Sequence, residues 1–358
     1  MATGLAFALV FSILIFIHEF GHFLAAKKSG MKVEEFGFGF PPRIFGLKIG
    51  ETLYSLNWIL FGGFVKIYGQ GEEVKEEKKR SFLAKTKKAR ALVILSGIIM
   101  NFLLAVALFS IIYGKLGIPK ASDKISVVDF AKNSPAKEIG LELGDVILGF
   151  EINNETKTFA NTENFIKAVD EYRGQKINLK IERQKEQLQF EIVPRTQEET
   201  PEQEGPLGVA ISSVETVFYP WWKMIFSSII AGFKEAVSWV ILVFSSILIS
   251  LKQLILGEAP QVAGPIGIYY LTKQAAKEGW LTLFQFTGIL SVNLAVLNFL
   301  PLPLLDGGWL ILIILENFFT RKKIAKLEQK VNIIGIIFFG ILMILVTIND
   351  FVNRRMYQ

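Results

Sequence analysis

The chain has 358 residues, 51% of them hydrophobic, and a mean hydropathy of +0.41. That is too apolar for an ordinary soluble domain and requires a membrane-embedded part. There is no cysteine, which excludes disulfides and thiolate metal sites, and the net charge of +6 comes from Lys and Arg residues flanking apolar spans, a mark of membrane topology rather than of nucleic-acid binding.

Residues 5 to 26 form the first apolar span, long enough to cross a bilayer. It lacks the basic start of a signal peptide, and Lys27 and Lys28 place its end on the cytoplasmic side. Inside it lies His18-Glu19-Phe20-Gly21-His22, which uses both histidines of the chain. On a helix, residues at i and i+4 project from one face, so the two imidazoles suit one zinc ion, with Glu19 beside them as general base. Such groups are costly in an apolar segment unless they have work or partners. At the helical rise they lie roughly 8 to 14 Å inside the cytoplasmic boundary.

Residues 32 to 72 are read as short strands, Val33 to Phe40, Leu53 to Ile59 and Gly63 to Tyr68, apolar enough to lie against the bilayer near the motif. Their edge would pair with an extended substrate, or the hairpin would merely plug the bundle. Residues 72 to 90 carry Lys75, Lys78, Lys79, Arg80, Lys85, Lys87, Lys88 and Arg90, a cytoplasmic marker. A second span, about 91 to 113, holds Asn101, which either packs against a neighbouring helix or positions substrate.

Residues 122 to 213 have the pattern of a small extracytoplasmic domain. Ser134-Pro135 reads as a helix start, Gly140 as its stop, and Val146 to Ile152 as a strand. A helix over Thr162 to Tyr172 and strands Ile177 to Arg183 and Gln187 to Val193 follow. This order resembles a single PDZ domain, with a mobile linker at Thr196 to Pro206. Such a domain would bind peptide C-termini or exclude bulky substrates. Residues 214 to 280 hold an apolar stretch, 221 to 256, expected to lie along the outer face as an amphipathic helix rather than to cross. In the C-terminal membrane half, 281 to 358, Pro301, Pro303 and Gly307-Gly308 break a helix at membrane depth. Asp306 at that break is the candidate third ligand, or a helix cap. The last span is about Asn332 to Ile348. The fold class is thus a polytopic α-helical membrane protein of about four transmembrane helices, with a membrane-associated β-hairpin region in the N-terminal half, 1 to 121.

Together, His-Glu-Phe-Gly-His, Phe-Gly-Phe-Gly, Met-Asn-Phe-Leu-Leu-Ala around Asn101, the PDZ-like segment and Asn-x-x-Pro-x-Pro-x-Leu-Asp-Gly resemble the site-2 protease family of intramembrane zinc metalloproteases. The likeness is strongest to its bacterial branch that regulates sigma-E. It implies zinc held by His18, His22 and Asp306, with Glu19 as base. It also implies that Phe36, Gly37, Phe38, Gly39 and Phe40 belong to a β-loop near the substrate, and that Asn298 holds the unwound substrate. The implied activity is hydrolysis of peptide bonds within single-span membrane proteins, such as anti-sigma factors or signal-peptide remnants, in the bacterial cytoplasmic membrane. Two departures stand out: relatives often carry two PDZ domains, and Leu-Ser-Gly-Ile-Ile-Met precedes Asn101 where Ala-Gly-Pro is common. The competing readings are a metal-binding membrane protein or transporter, and a PDZ-bearing scaffold without proteolytic activity.

Overall fold

The computed structural model describes residues 2–70, 78–153, 155–202, 204–258 and 263–352. Lys75, in the basic run, lies outside the described residues. Helix α1 (Ala2–Lys28) opens the chain, followed by β1 (Val33–Ile49), β2 (Thr52–Ile67) and α2 (Lys87–Leu116). Then come β3 (Ile118–Phe130), α3 (Pro135–Glu138), β4 (Val146–Ile152), β5 (Glu155–Lys157), α4 (Thr162–Glu171), β6 (Ile177–Arg183), β7 (Glu186–Ile192) and β8 (Val209–Val217). The rest is helical: α5 (Trp221–Ile255), α6 (Pro265–Glu278), α7 (Trp280–Phe299), α8 (Asp306–Leu315) and α9 (Arg321–Val352). The chain divides into two compact units, Met1–Lys115 with Trp222–Gln358, and Leu116–Trp221.

In the first unit, α1 ends in a Schellman turn. Gly30 takes the left-handed conformation (φ 65°), its N–H donates to the Lys27 carbonyl, and Met31 N–H donates to Ala26. The turn buries Met31 and launches β1 back along α1. β1 and β2 are each long enough to fold over. Phe36 pairs with both Tyr54 and Val65, and Gly37 with both Ser55 and Phe64. The two strands thus make one sheet of four segments side by side, in the order 43–49, 52–59, 33–40, 63–67. The segment 43–49, beyond Pro41-Pro42, adds a strand that the expected hairpin did not include. Phe36 packs its ring among Phe16, Phe20, Phe23 and Tyr54, which fixes the inner face of this sheet on α1. The outer segment leaves Ile44, Phe45, Leu47 and Ile49 exposed, as expected for a sheet lying against lipid.

Five helices, α1, α2, α5, α7 and the Leu327–Phe351 part of α9, are long and apolar enough to cross a membrane among the described residues. The fifth beyond the expected four is α5. It buries only Met224, Ser228, Gly232, Ala236 and Val243, a stripe laid on α2 where Gly232 meets Ser110. Glu235 on α5 accepts from Tyr113 Oη and from Trp239 Nε1, both at 2.9 Å.

A buried charge pair ties α2 to the end of α8. Arg90 donates twice to Glu316, at 2.7 and 2.5 Å, with side-chain exposures of 2% and 9%. Lys87 Nζ adds bonds to the Glu316 carbonyl and to Asn317 Oδ1. Removing one partner strands the other charge. Glu316→Ala is expected to cost about 3–5 kcal/mol, read as a lowered thermal unfolding midpoint of the purified protein in detergent. Asp350 near the end of α9 is fully buried and accepts from the N–H groups of Gly264 and Gly267, both at 2.9 Å, closing the start of α6.

The second unit is a sheet ordered β7-β6-β4-β3-β8, with β5 beside β4. Its core holds Ile125, Phe150, Phe165, Val169, Leu179 and Ile181. Ser134 and Asn161 cap α3 and α4 as their sequence positions require. β8 returns from the segment 196–206 to pair along β3, so that segment is a loop inside the unit rather than an exit from it. It is also fastened: Arg195 bonds Glu204 at 2.7 Å, and Arg173 donates to Thr200 Oγ1 at 2.9 Å.

In this unit, burial would by itself raise the Asp145 carboxyl, but two bonds from Arg183 and the Glu142 amide hold it below the usual value. A depressed folded value gives stability that is present above the unfolded value near about 3.9 and is lost as pH falls through the folded one. Amide protection in β4 and β6 of the full chain should therefore fall below about pH 4. Asp145→Asn should flatten that acid dependence.

Candidate metal centre

The motif helix α1 places His18 and His22 on one buried face, as i and i+4 spacing requires. Their Nε2 atoms are 3.1 Å apart. The two rings face α2 where glycines let the helices close. A Cβ on Gly21 would stand 2.4 Å from the Ser96 carbonyl oxygen, and one on Gly97 would stand 2.5 Å from His22 Nε2.

Asp306 arrives from the far end of the chain. The loop between α7 and α8 folds back over the first turn of α8, so that a Cβ on Gly307 would meet the Leu300 carbonyl at 2.1 Å. A Cβ on Gly308 would meet the Leu302 carbonyl at 2.3 Å. Leu304 pays for the turn with φ 67°, a left-handed value that costs a branched residue about 1–3 kcal/mol. Asp306 is the first residue of α8, not its cap: the cap position is Leu305, and no side chain caps that end. The carboxylate turns instead to the imidazoles. Asp306 Oδ2 is 3.1 Å from His18 Nε2 and 3.4 Å from His22 Nε2.

These three atoms suit a cation. His22 Nδ1 lies 2.8 Å from the Val93 carbonyl, which can only accept, so the neutral ring carries its proton on Nδ1 and a lone pair on Nε2. Asp306 Oδ2 is buried, yet it makes no well-aligned hydrogen bond despite both nearby nitrogens. Two imidazole nitrogens and a carboxylate oxygen, all within 4.8 Å of one another, are a donor set and count that fit zinc with one position left open.

Around them is a cavity of about 340 Å³ lined by polar groups that include Glu19, Gln70, Asn101 and Asn298. Glu19 accepts from the Val65 N–H at 3.1 Å, which fastens its carboxylate to the strand 63–67. The amide nitrogen of Asn298, on the last turn of α7, is 3.5 Å from His18 Nε2. That of Asn101 is 3.4 Å from His18 Nδ1. Phe36, Gly37 and Phe38 lie in the inner strand, paired on both sides, and Phe40 pairs with Ile59. Gly39 is buried. None of these five lines the cavity, whereas Val65 and Ile67 of the edge segment do. Sequence reasoning passed over Val65, Gln70 and Gly97. Of these, Gly97 carried a signal, since it stands one helical turn before Asn101.

Peptidase family M50 matches residues 6–343 of the chain. A protein of Clostridium perfringens, named provisionally as a zinc metalloprotease, is 38% identical over 347 residues, covering 96% of this chain and 97% of the relative. A second of that kind, from Clostridium acetobutylicum, is 33% identical over 346 residues, with 96% of each chain covered. The zinc metalloprotease RasP of Oceanobacillus iheyensis is 26% identical over 431 residues, covering 98% of this chain and 99% of RasP. A match that runs through both membrane halves and the domain between them makes this chain a member of peptidase family M50.

Proposed function

We propose that the protein is an intramembrane zinc metalloprotease of the site-2 type, and that His18, His22 and Asp306 hold the metal. The observation that carries this is the meeting of Asp306 Oδ2 with both Nε2 atoms on apolar helices. Zinc, when bound, supplies a Lewis acid and lowers the pKa of a water toward about 7. The chain's own residues do the rest. Glu19, held by the Val65 amide, takes the proton of the attacking water and returns it to the leaving nitrogen. Asn298, which lines the cavity, offers an amide donor toward the reacting carbonyl. A transmembrane helix hides its carbonyls in internal bonds, so the substrate must be drawn out. Among the described residues the strand 63–67 pairs only with 33–40, and its other edge borders the cavity, which favours strand addition there. In this reading Phe36 to Phe40 act through the sheet that presents this edge.

A transporter needs polar groups along a path through the spans, and one metal cluster is found among the described residues. We place the chain in the bacterial cytoplasmic membrane, with the PDZ-like unit outside. There the edge strand β8, beside α4, would receive peptide C-termini. Tyr269 of α6 lies 5.6 Å from Phe7 at the opening turns of α1, the end away from Lys27 and Lys28. That favours α5 beginning and ending on the outer side. The test is cleavage of a purified single-span substrate by the purified chain, abolished by a chelator and restored by zinc. Cleavage indifferent to chelation would sink the proposal.

A further inference from the structure

The two imidazoles are unequally served on the side away from the cavity. His22 has a backbone carbonyl on Nδ1, which fixes its tautomer. His18 has the carboxamide of Asn101, a fully buried residue, at 3.4 Å. As placed, the nitrogen end of that amide faces the ring, and the oxygen end, Asn101 Oδ1, is buried without any hydrogen-bond partner. The two ends of a carboxamide have the same shape, so the bonding partners decide which faces inward.

The two orientations have opposite consequences for the metal. With the nitrogen inward, Asn101 donates to Nδ1, the proton of neutral His18 sits on Nε2, and the lone pair toward Asp306 is gone. With the oxygen inward, His18 Nδ1–H donates to Oδ1. The orphaned oxygen then gains its partner, and Nε2 faces Asp306 with a free lone pair. The backbone of Asn101 is held for this task, because Ser291 on α7 donates to its carbonyl at 2.7 Å and is itself fully buried.

The rest of this face of α2 serves the same end. Val93, Gly97 and Asn101 follow one another at i, i+4 and i+8. They supply a carbonyl for one ring, a gap against both, and an amide for the other. A Cβ on Gly97 would stand 2.5 Å from His22 Nε2 and 2.8 Å from His18 Cε1.

We infer that Asn101 is a positioning residue of the metal site: its carboxamide oxygen accepts the Nδ1 proton of His18 and so turns the lone pair of Nε2 to the ion. The inference rests on the reading of His18, His22 and Asp306 as ligands. The chain holds two histidines, so nitrogen NMR of labelled imidazoles reports these rings alone. In the zinc-loaded full chain both rings should carry the proton on Nδ1. Asn101→Leu removes the acceptor while keeping the branched outline of the side chain. It should weaken zinc binding about 10–100-fold in chelator competition and shift the His18 signals more than those of His22. Asn101→Asp keeps an oxygen acceptor and should bind zinc far better than the leucine variant.

Equal zinc affinity in wild type and Asn101→Leu would overturn the assignment, as would a His18 proton on Nε2 in the loaded protein. The wild-type spectrum decides the tautomer even where the leucine variant fails to accumulate. A wild-type chain that takes up zinc without perturbing either ring overturns the ligand reading first, and this inference with it.

Discussion

Replacing Glu19 by Gln is expected to slow peptide-bond cleavage about a hundred- to ten-thousand-fold while leaving zinc bound, the range that a positioned general base contributes. Glutamine keeps an oxygen that can accept from the Val65 N–H, so the strand 63–67 stays fastened to α1. What it loses is the capacity to take a proton. Glu19 is not among the three groups whose ligand atoms converge, so metal content should not change. The measurement pairs the cleavage rate of a single-span substrate with zinc content of the same preparation. Undiminished cleavage would remove Glu19 from the chemistry, and loss of zinc would move it into the ligand set.

Asp306→Ala should empty the site. It removes the one anionic ligand and leaves two imidazole nitrogens 3.1 Å apart with nothing to close the third side. The loss in zinc affinity should exceed the about 10–100-fold typical of an outer partner, and cleavage should disappear with it. His18→Ala should do the same through the opposite helix. The control is the buried pair Arg90–Glu316, which also fastens α8 but does not reach the cavity. Glu316→Ala should lower thermal stability with a smaller change in zinc affinity. Normal zinc content in Asp306→Ala would break the ligand assignment, whatever the effect on cleavage.

Much of the molecule was legible because its signals are local. A helix repeats every 3.6 residues, so His18 and His22 had to share a face wherever the helix formed. Pro301, Pro303 and Gly307-Gly308 had to interrupt a helix, and α7 does end at Phe299, with α8 beginning at Asp306. Ser134 caps the helix whose start Ser134-Pro135 marks. The failures were of another kind. The expected strands leave out 43–49, whereas the ladder folds over after Phe40 and continues there. The composition of 196–206 predicts a mobile linker. Its side-chain bonds, and the return of β8 beside β3, are long-range and leave no periodic trace. Asn101 reads as a packing or substrate contact, because an amide in a span has no signature of what it faces.

Composition, the paired histidines with their glutamate, and the broken helix carrying an aspartate pointed on their own to a membrane protein with the donor groups proposed here for a metal centre. They did so because chain spacing fixes which side chains of one helix share a face. Which atoms meet across helices was decided only in three dimensions. The closeness of α1 to α2 depends on Gly21 and Gly97 having no side chain, and the reach of Asp306 depends on a loop folded back over two glycines. Those crossings set the distances from which the chemistry follows, and no spacing along a single chain segment encodes them.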